Sequence, residues 1–297
     1  MHSVTPILLV LALALAFAHS ALAASVCNGY AGLCDKLYSN VTFIGSHDSA
    51  FVGILPTDNQ FKSVSNQLSE GVRFLQAQTH NDDGTIELCH TSCTEKNAGS
   101  LEDYLVTIAT FLDDNPNEVL TLLLTNQDGI AAADFAAAFV AAGADTYAYS
   151  PGSTLTMSEW PTLGDLIDAG TRLVVFMDYP ADNSVSYILA EFTSYIFETP
   201  YDTTDSSFPE CSINRPSGAS ADGRMYLVNH YLDYSLFGID IPNQLAASTT
   251  NGEASILKQV SICTGLYGRN PNFILLDWIS VGDAMTVQAY LNGAGSL

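Results

Sequence analysis

The run VRFLQAQTH (72–80), followed after a short polar turn by TIELCH (85–90), decides the fold. Each run is apolar, of strand length, and ends on a histidine. The pattern repeats along the chain. VTFIGSH (41–47) ends on His47. VLTLLLTNQD (119–128) passes through Asn126, and LVVFMDY (173–179) through Asp178. MYLVNHYLD (225–233) passes through His230, and NFILLDWI (272–279) through Asp277. Helical patterns lie between several of these runs, at 101–115, 131–143 and 253–268. Strands alternating with helices imply a parallel α/β architecture. In a (β/α)8 barrel all C-terminal strand ends meet on one rim, where active sites are built. An open doubly wound sheet would carry a Gly-rich phosphate loop after its first strand. GSHDSAFVG (45–53) is no such loop, so the barrel is the expected fold.

A chain of 297 residues suits one such domain. Residues 1–24 read as a secretory signal peptide, with an apolar run from Pro6 to Phe17 and a small-residue site at Ala21-Leu22-Ala23. The barrel domain is then 25–297, and the protein is expected to be secreted, extracellular, soluble and monomeric. Asn40-Val41-Thr42 is a glycosylation sequon. Six cysteines follow the signal, an even number that suits disulfides in an exported chain. Nearness in sequence suggests Cys27–Cys34 and Cys89–Cys93, leaving Cys211–Cys263. The net charge of −23 argues against nucleic acid and anionic membrane surfaces as partners.

Four histidines remain after the leader: His47, His80, His90 and His230. Two histidines with a carboxylate suit general acid–base work near neutral pH. Zinc sites favour tighter patterns than this chain offers. Cys89-His90-Cys93 would supply metal ligands or a redox pair only with reduced cysteines. No metal and no cofactor is expected.

The segments FIGSHDSAF, QLSEGVRFLQAQTHNDDGTIELCH, FLDDNPNEVLTLLLTN and FILLDW occur in this order across nearly the whole mature chain. They resemble the X-domain of phosphatidylinositol-specific phospholipase C and its secreted, single-domain, fungal-type relatives. The resemblance implies a distorted TIM barrel of the PLC-like phosphodiesterase type. It implies His47 as the general base that deprotonates a neighbouring hydroxyl, and His90 as the general acid that protonates the departing alcohol. Asp48 then supports the acid and Asp277 orients the base. The implied activity is that of a metal-independent phosphoric diester hydrolase, cutting a phospholipid or small phosphodiester during transient contact with a membrane surface. A catalytically weak binding or effector barrel, or an enzyme for another phosphodiester, is the alternative.

The departures from that pattern are specific. Where animal members carry a Glu and an Asp that bind calcium, this chain has Gln76 and Gln78. Bacterial members carry a phosphate-neutralising Arg at the second of these positions. An amide donates a hydrogen bond without charge, and charge-assisted contacts are roughly twice as strong. Because alternate strand residues share a face, His80 is expected to follow Gln76 and Gln78 to the rim. Protonated, it would supply the missing positive charge and favour activity at acidic pH. The remaining substrate contacts are expected from Asn126, Asp178, Asn229 and His230.

Overall fold

In the computed structural model, which describes residues 23–179, 181 and 184–297, the chain forms twelve strands and seven α-helices. The leader expected over 1–24 lies almost wholly outside the described residues. In chain order the strands are β1 Phe43–Ser46, β2 Phe74–Asp82, β3 Thr85–Cys89, β4 Asn97–Ser100, β5 Leu120–Asn126 and β6 Leu173–Met177. They continue as β7 Ile188–Ala190, β8 Ile196–Glu198, β9 Met225–Asn229, β10 Asp233–Leu236, β11 Ile239–Pro242 and β12 Phe273–Leu276. The helices are α1 Val64–Ser69, α2 Leu101–Asp114, α3 Ala132–Ala141, α4 Leu163–Ala169, α5 Ala247–Thr250, α6 Glu253–Tyr267 and α7 Ala284–Leu291.

Eight strands pair in parallel in the order β7-β6-β5-β2-β1-β12-β9-β8. Side-chain alternation gives this sheet two faces. Phe43, Phe74, Leu123, Phe176, Leu227 and Phe273 share one apolar core with Tyr38 and Trp160. Ile44, Leu75, Leu122, Val175, Val228 and Ile274 pack outward in a second core with the helices. Phe176 of β6 meets Phe273 of β12 at 6.1 Å between ring centroids, across strands that are four apart in the sheet. Only a sheet curled on itself permits that contact. Gly45 is required by the same crowding, because a Cβ there would lie 2.4 Å from the Phe74 ring and 2.5 Å from its carbonyl oxygen.

The helices have ordinary local causes. Ser100 caps α2 by accepting from the Asp103 N–H, with Glu102 and Asp103 in the first turn. Asn115, before Pro116, ends it. Thr162 and Asp165 form a capping box on α4, which stops at Gly170 with φ 75°.

The distortion is local. Strands β7 and β8 stand at the two ends of the sheet, joined by a π-helical turn, Glu191–Tyr195, with no ladder between them. The alternation also fails between β6 and β9, where the described residues contain no α-helix. Disulfides join Cys27 to Cys34, Cys89 to Cys93 and Cys211 to Cys263. No helix among the described residues is long and apolar enough to cross a membrane.

Candidate active site

The backbone of β1 continues one residue past the strand, with the His47 N–H donating to the Leu276 carbonyl at 3.0 Å. His47 is therefore delivered to the rim at the same height as Asp277, which follows β12. Its Nδ1 lies 2.9 Å from Asp277 Oδ1, which also accepts from Asn59 Nδ2 at 3.0 Å. The other face of the ring stacks on Tyr231, with centroids 3.8 Å apart and planes within 5°. With Nδ1 committed to the carboxylate and the ring clamped, Nε2 faces the cleft.

Asp48 turns the chain sharply at φ 45°, a left-handed conformation that Asp tolerates better than most residues. The turn is held by β2: the Asp48 N–H donates to Gln76 Oε1 at 2.7 Å, and the Ser49 N–H to the Gln76 carbonyl at 2.8 Å. Asp48 is fully buried. Its Oδ2 accepts from Gln78 Nε2 at 2.7 Å, and lies 3.6 Å from His47 Nε2 and 3.7 Å from His90 Nε2. Both imidazoles thus converge on one carboxylate oxygen at the floor of the cleft.

His90 follows β3, on the loop that the Cys89–Cys93 disulfide closes. Its N–H donates to the Lys96 carbonyl at 3.1 Å, and its ring meets the Phe51 ring edge-on at 5.2 Å. Gln78 Oε1 accepts from the Thr91 N–H at 3.0 Å. One amide therefore ties the turn of the first histidine to the loop of the second.

The cleft above them has a volume of about 420 Å³. Asp178, Asp202, Asp233 and Asp240 line it, with Arg215 and Tyr201 on the far wall. The Arg215 guanidinium pairs with Glu198 through Nε at 2.9 Å and through a second nitrogen, and lies 4.3 Å over the Tyr201 ring. Burial works against charge on His47, but Asp48 and Asp277 outweigh it and lift its pKa to about 9. Burial lifts Asp178 to about 7. Burial and then the Asp277 charge do the same to Asp233, again to about 7. Burial and the neighbouring Glu198 push Glu191, behind the cleft, well above the usual carboxylate range. At neutral pH His47 is therefore mostly protonated, and Arg215 adds a positive charge on the far wall.

Two imidazoles on opposite sides of one buried carboxylate, at the C-terminal rim of a barrel, set the comparison with known proteins. The PI-PLC X 1 family model matches residues 33–292. The chain belongs to the PI-PLC X family. "PI-PLC X domain-containing protein 1" of Arthroderma benhamiae is 49% identical over 274 residues, covering 90% of each chain. An "Uncharacterized secreted protein" of the same fungus is 43% identical over 271 residues, and the chain spans 61% of its length. That name and the three disulfides agree with an extracellular location. Phosphatidylinositol-specific phospholipase C from Listeria monocytogenes superposes with a TM-score of 0.58 at 17% identity, covering 93% of this chain and 100% of that one. The Staphylococcus aureus phosphatidylinositol-specific phospholipase C gives 0.56 at 16%, covering 89% and 95%. At such identities the likeness concerns the fold.

Within this PI-PLC X chain the expected site residues divide. His47, Asp48, Gln76, Gln78, His90 and Asp178 line the cleft, and Asp277 stands behind His47. Asn229 lies in a smaller hollow below, donating to the Thr199 carbonyl at 3.0 Å. Three expectations are corrected. His80 does not reach the cleft: β2 runs past the rim as a hairpin with β3, and the His80 ring pairs with Asp128 at 3.2 Å. Asn126 points outward and staples its own loop, exchanging hydrogen bonds of 2.9 Å with the Ile130 backbone. His230 is fully buried against α6, its Nδ1 on Gln259 and its Nε2 2.9 Å from the Thr250 carbonyl. Calcium does not fit the second strand, because the neutral amides of Gln76 and Gln78 stand at its carboxylate positions and both are committed to hydrogen bonds.

Sequence reasoning missed Arg215, Glu198, Asn59, Asp202 and Asp233. The only signal for Arg215 was scarcity, since the chain has nine Lys plus Arg in all.

Proposed function

We propose that the protein is a secreted, metal-independent phosphodiesterase of the phospholipase C type. The observation that carries this reading is the near-equal approach of His47 Nε2 and His90 Nε2, at 3.6 and 3.7 Å, to Asp48 Oδ2. A phosphodiester lying above that oxygen has one imidazole on each side. His47, neutral and held through Nδ1 by Asp277, takes the proton of a hydroxyl next to the phosphate. The hydroxyl oxygen bonds to phosphorus. The bond from phosphorus to the leaving oxygen breaks, and His90 gives that oxygen its proton. The products are a cyclic phosphodiester and an alcohol. The next turnover requires His90 to regain a proton and His47 to lose one.

A lipid substrate is supported by what surrounds the cleft. Asp240 and Pro242 of β11 line it, and the same hairpin presents Phe237 with 98% of its surface exposed and Ile239 with 66%. Leu245, just beyond, is 96% exposed. Exposed apolar side chains gathered in one short stretch beside the cleft suit an interaction surface. The cleft itself is lined by five aspartates, which favours a neutral polar head group over one bearing further phosphates.

A weakly catalytic binding barrel is the second reading, and the His47 pKa of about 9 favours it. A base with that pKa is only about 1% neutral at pH 7. The test is a panel of phosphodiesters with chelator present, comparing wild type with His47→Ala and His90→Ala. Turnover that survives chelation and is lost in both variants supports the enzyme. A folded protein that binds inositol phosphate or sulfate without turnover supports the binding barrel, and turnover that both variants retain defeats the assigned residues.

A further inference from the structure

The sequon Asn40-Val41-Thr42 plays no part in the site above. It lies at the opposite end of the barrel, immediately before β1 begins. Asn40 closes a one-turn 3-10 helix, Tyr38–Asn40, and is exposed, whereas Val41 and Thr42 are buried. Thr42 Oγ1 donates to the Pro271 carbonyl at 2.7 Å, and the Asn40 N–H donates to the Leu37 carbonyl. The backbone is thus fixed on both sides, while exposed Asn40 lines a hollow of about 560 Å³. That volume falls in the range of small-ligand sites. Leu37, Val41 and Leu291 give it apolar walls, and Lys36, Arg269 and Asn270 give it polar ones. A sugar ring, with apolar faces and hydroxyl edges, suits such a lining.

We infer that Asn40 carries an N-linked glycan whose first N-acetylglucosamine seats in this hollow. In the attachment step Asn40 Nδ2 bonds to C1 of the first sugar of an oligosaccharide carried on a lipid diphosphate. The bond from C1 to the diphosphate oxygen breaks, the lipid diphosphate leaves, and the amide loses one proton to the transferase. The hydrated glycan then lies on the face away from the cleft, leaving the exposed Phe237 hairpin free. The inference rests on export and not on catalysis, so its failure leaves the phosphodiesterase reading untouched.

The experiment uses the full chain, recovered from a eukaryotic secreting host. Peptide N-glycosidase is expected to remove the mass of one oligosaccharide from wild type, with deamidation at position 40, and nothing from Asn40→Gln. An endoglycosidase that leaves a single N-acetylglucosamine provides the second reading. That form is expected to melt at a higher temperature than the fully stripped protein. A chain without glycan, whether in the medium or retained in the cell, overturns the modification. A glycan with equal melting temperatures for the one-sugar and stripped forms overturns its seating in the hollow.

Discussion

Replacing Asp48 with Asn removes a charge without disturbing the turn it occupies. Asn is as well suited as Asp to φ 45°, and its Oδ1 can still accept from Gln78 Nε2. Asp48 is the largest of the charges that raise His47 and Asp277 the next, so Asp277→Asn is the companion variant. An opposite charge at this range is worth about 1–3 pH in a pKa. Asp48→Asn should therefore bring His47 from about 9 down to roughly 6–8. The neutral fraction at pH 7 then rises from about 1% to roughly 10–90%. The direct assay is two-dimensional NMR of histidine-labelled protein across pH 5–10, with His47 assigned by its loss in His47→Gln. The kinetic assay is the low-pH limb of kcat/KM, which follows deprotonation of the base and should move to lower pH with it. The plateau should fall in Asp48→Asn, because the carboxylate also faces His90, and should fall less in Asp277→Asn. If His47 titrates at one pH in all three proteins, the carboxylates do not set its charge and the acid–base assignment loses its basis.

Acid should stabilise the fold. Asp178 and Asp233 bind their protons more tightly folded, at about 7, than unfolded, at 3.8, so their contribution is full below pH 3.8 and is lost as pH rises through 7. Calorimetry should show a melting temperature higher by at least about 5 °C at pH 5 than at pH 7.5, and Asp233→Asn should flatten the difference; a flat wild-type profile refutes this. The Cys89–Cys93 clasp closes a separation of four residues against 52 for Cys211–Cys263. On the chain-entropy account these are worth about 2 and about 4 kcal/mol. The double variant Cys89→Ser/Cys93→Ser should lose activity while keeping most of its stability, and equal loss of both would show that the clasp holds the barrel rather than His90. His80→Ala should leave the pH–rate profile unchanged, whereas His230→Ala should cost about 2–4 kcal/mol in urea unfolding through its orphaned buried partners.

Strand parity explains which site residues could be read from the sequence. Counting in twos from the interior aromatics, Phe43 leads to His47, Phe176 to Asp178 and Phe273 to Asp277, and all three face inward. The same count from Leu123 reaches Thr125, not Asn126, and from Leu227 reaches Asn229, not His230. Both outward residues were therefore excluded by alternation, had the interior phase been fixed first. His80 has the correct parity relative to Gln78 and still misses the cleft. Parity says nothing about where a strand leaves the barrel, and the β2–β3 hairpin carries His80 past the rim. Strands β7 and β8 left little periodic signal, because each has three residues and only the π-helical turn, not an α-helix, separates them. Arg215 sits in the irregular segment after β8, where neither period applies.

The site's charge is best understood through what Gln78 does in place of a cation. An arginine there would meet the phosphate, but it would also neutralise Asp48. The amide leaves Asp48 charged and spends its own groups on tying the Asp48 turn to the Thr91 loop. The unneutralised carboxylate is then what raises His47, so the positive charge absent from the second strand reappears on the histidine one residue before it. The chain thereby gains a cation for an incoming phosphate at the cost of a base that is mostly protonated at neutral pH. Arg215 does not relieve this conflict, because Glu198 already holds its guanidinium on the far wall. An anionic phosphate over the cleft would stabilise the protonated histidine further. Phosphate binding should therefore tighten as pH falls from 9, while turnover should rise as pH approaches 9. That opposition separates this site from one whose phosphate is met by a permanently charged arginine, where binding and turnover need not diverge.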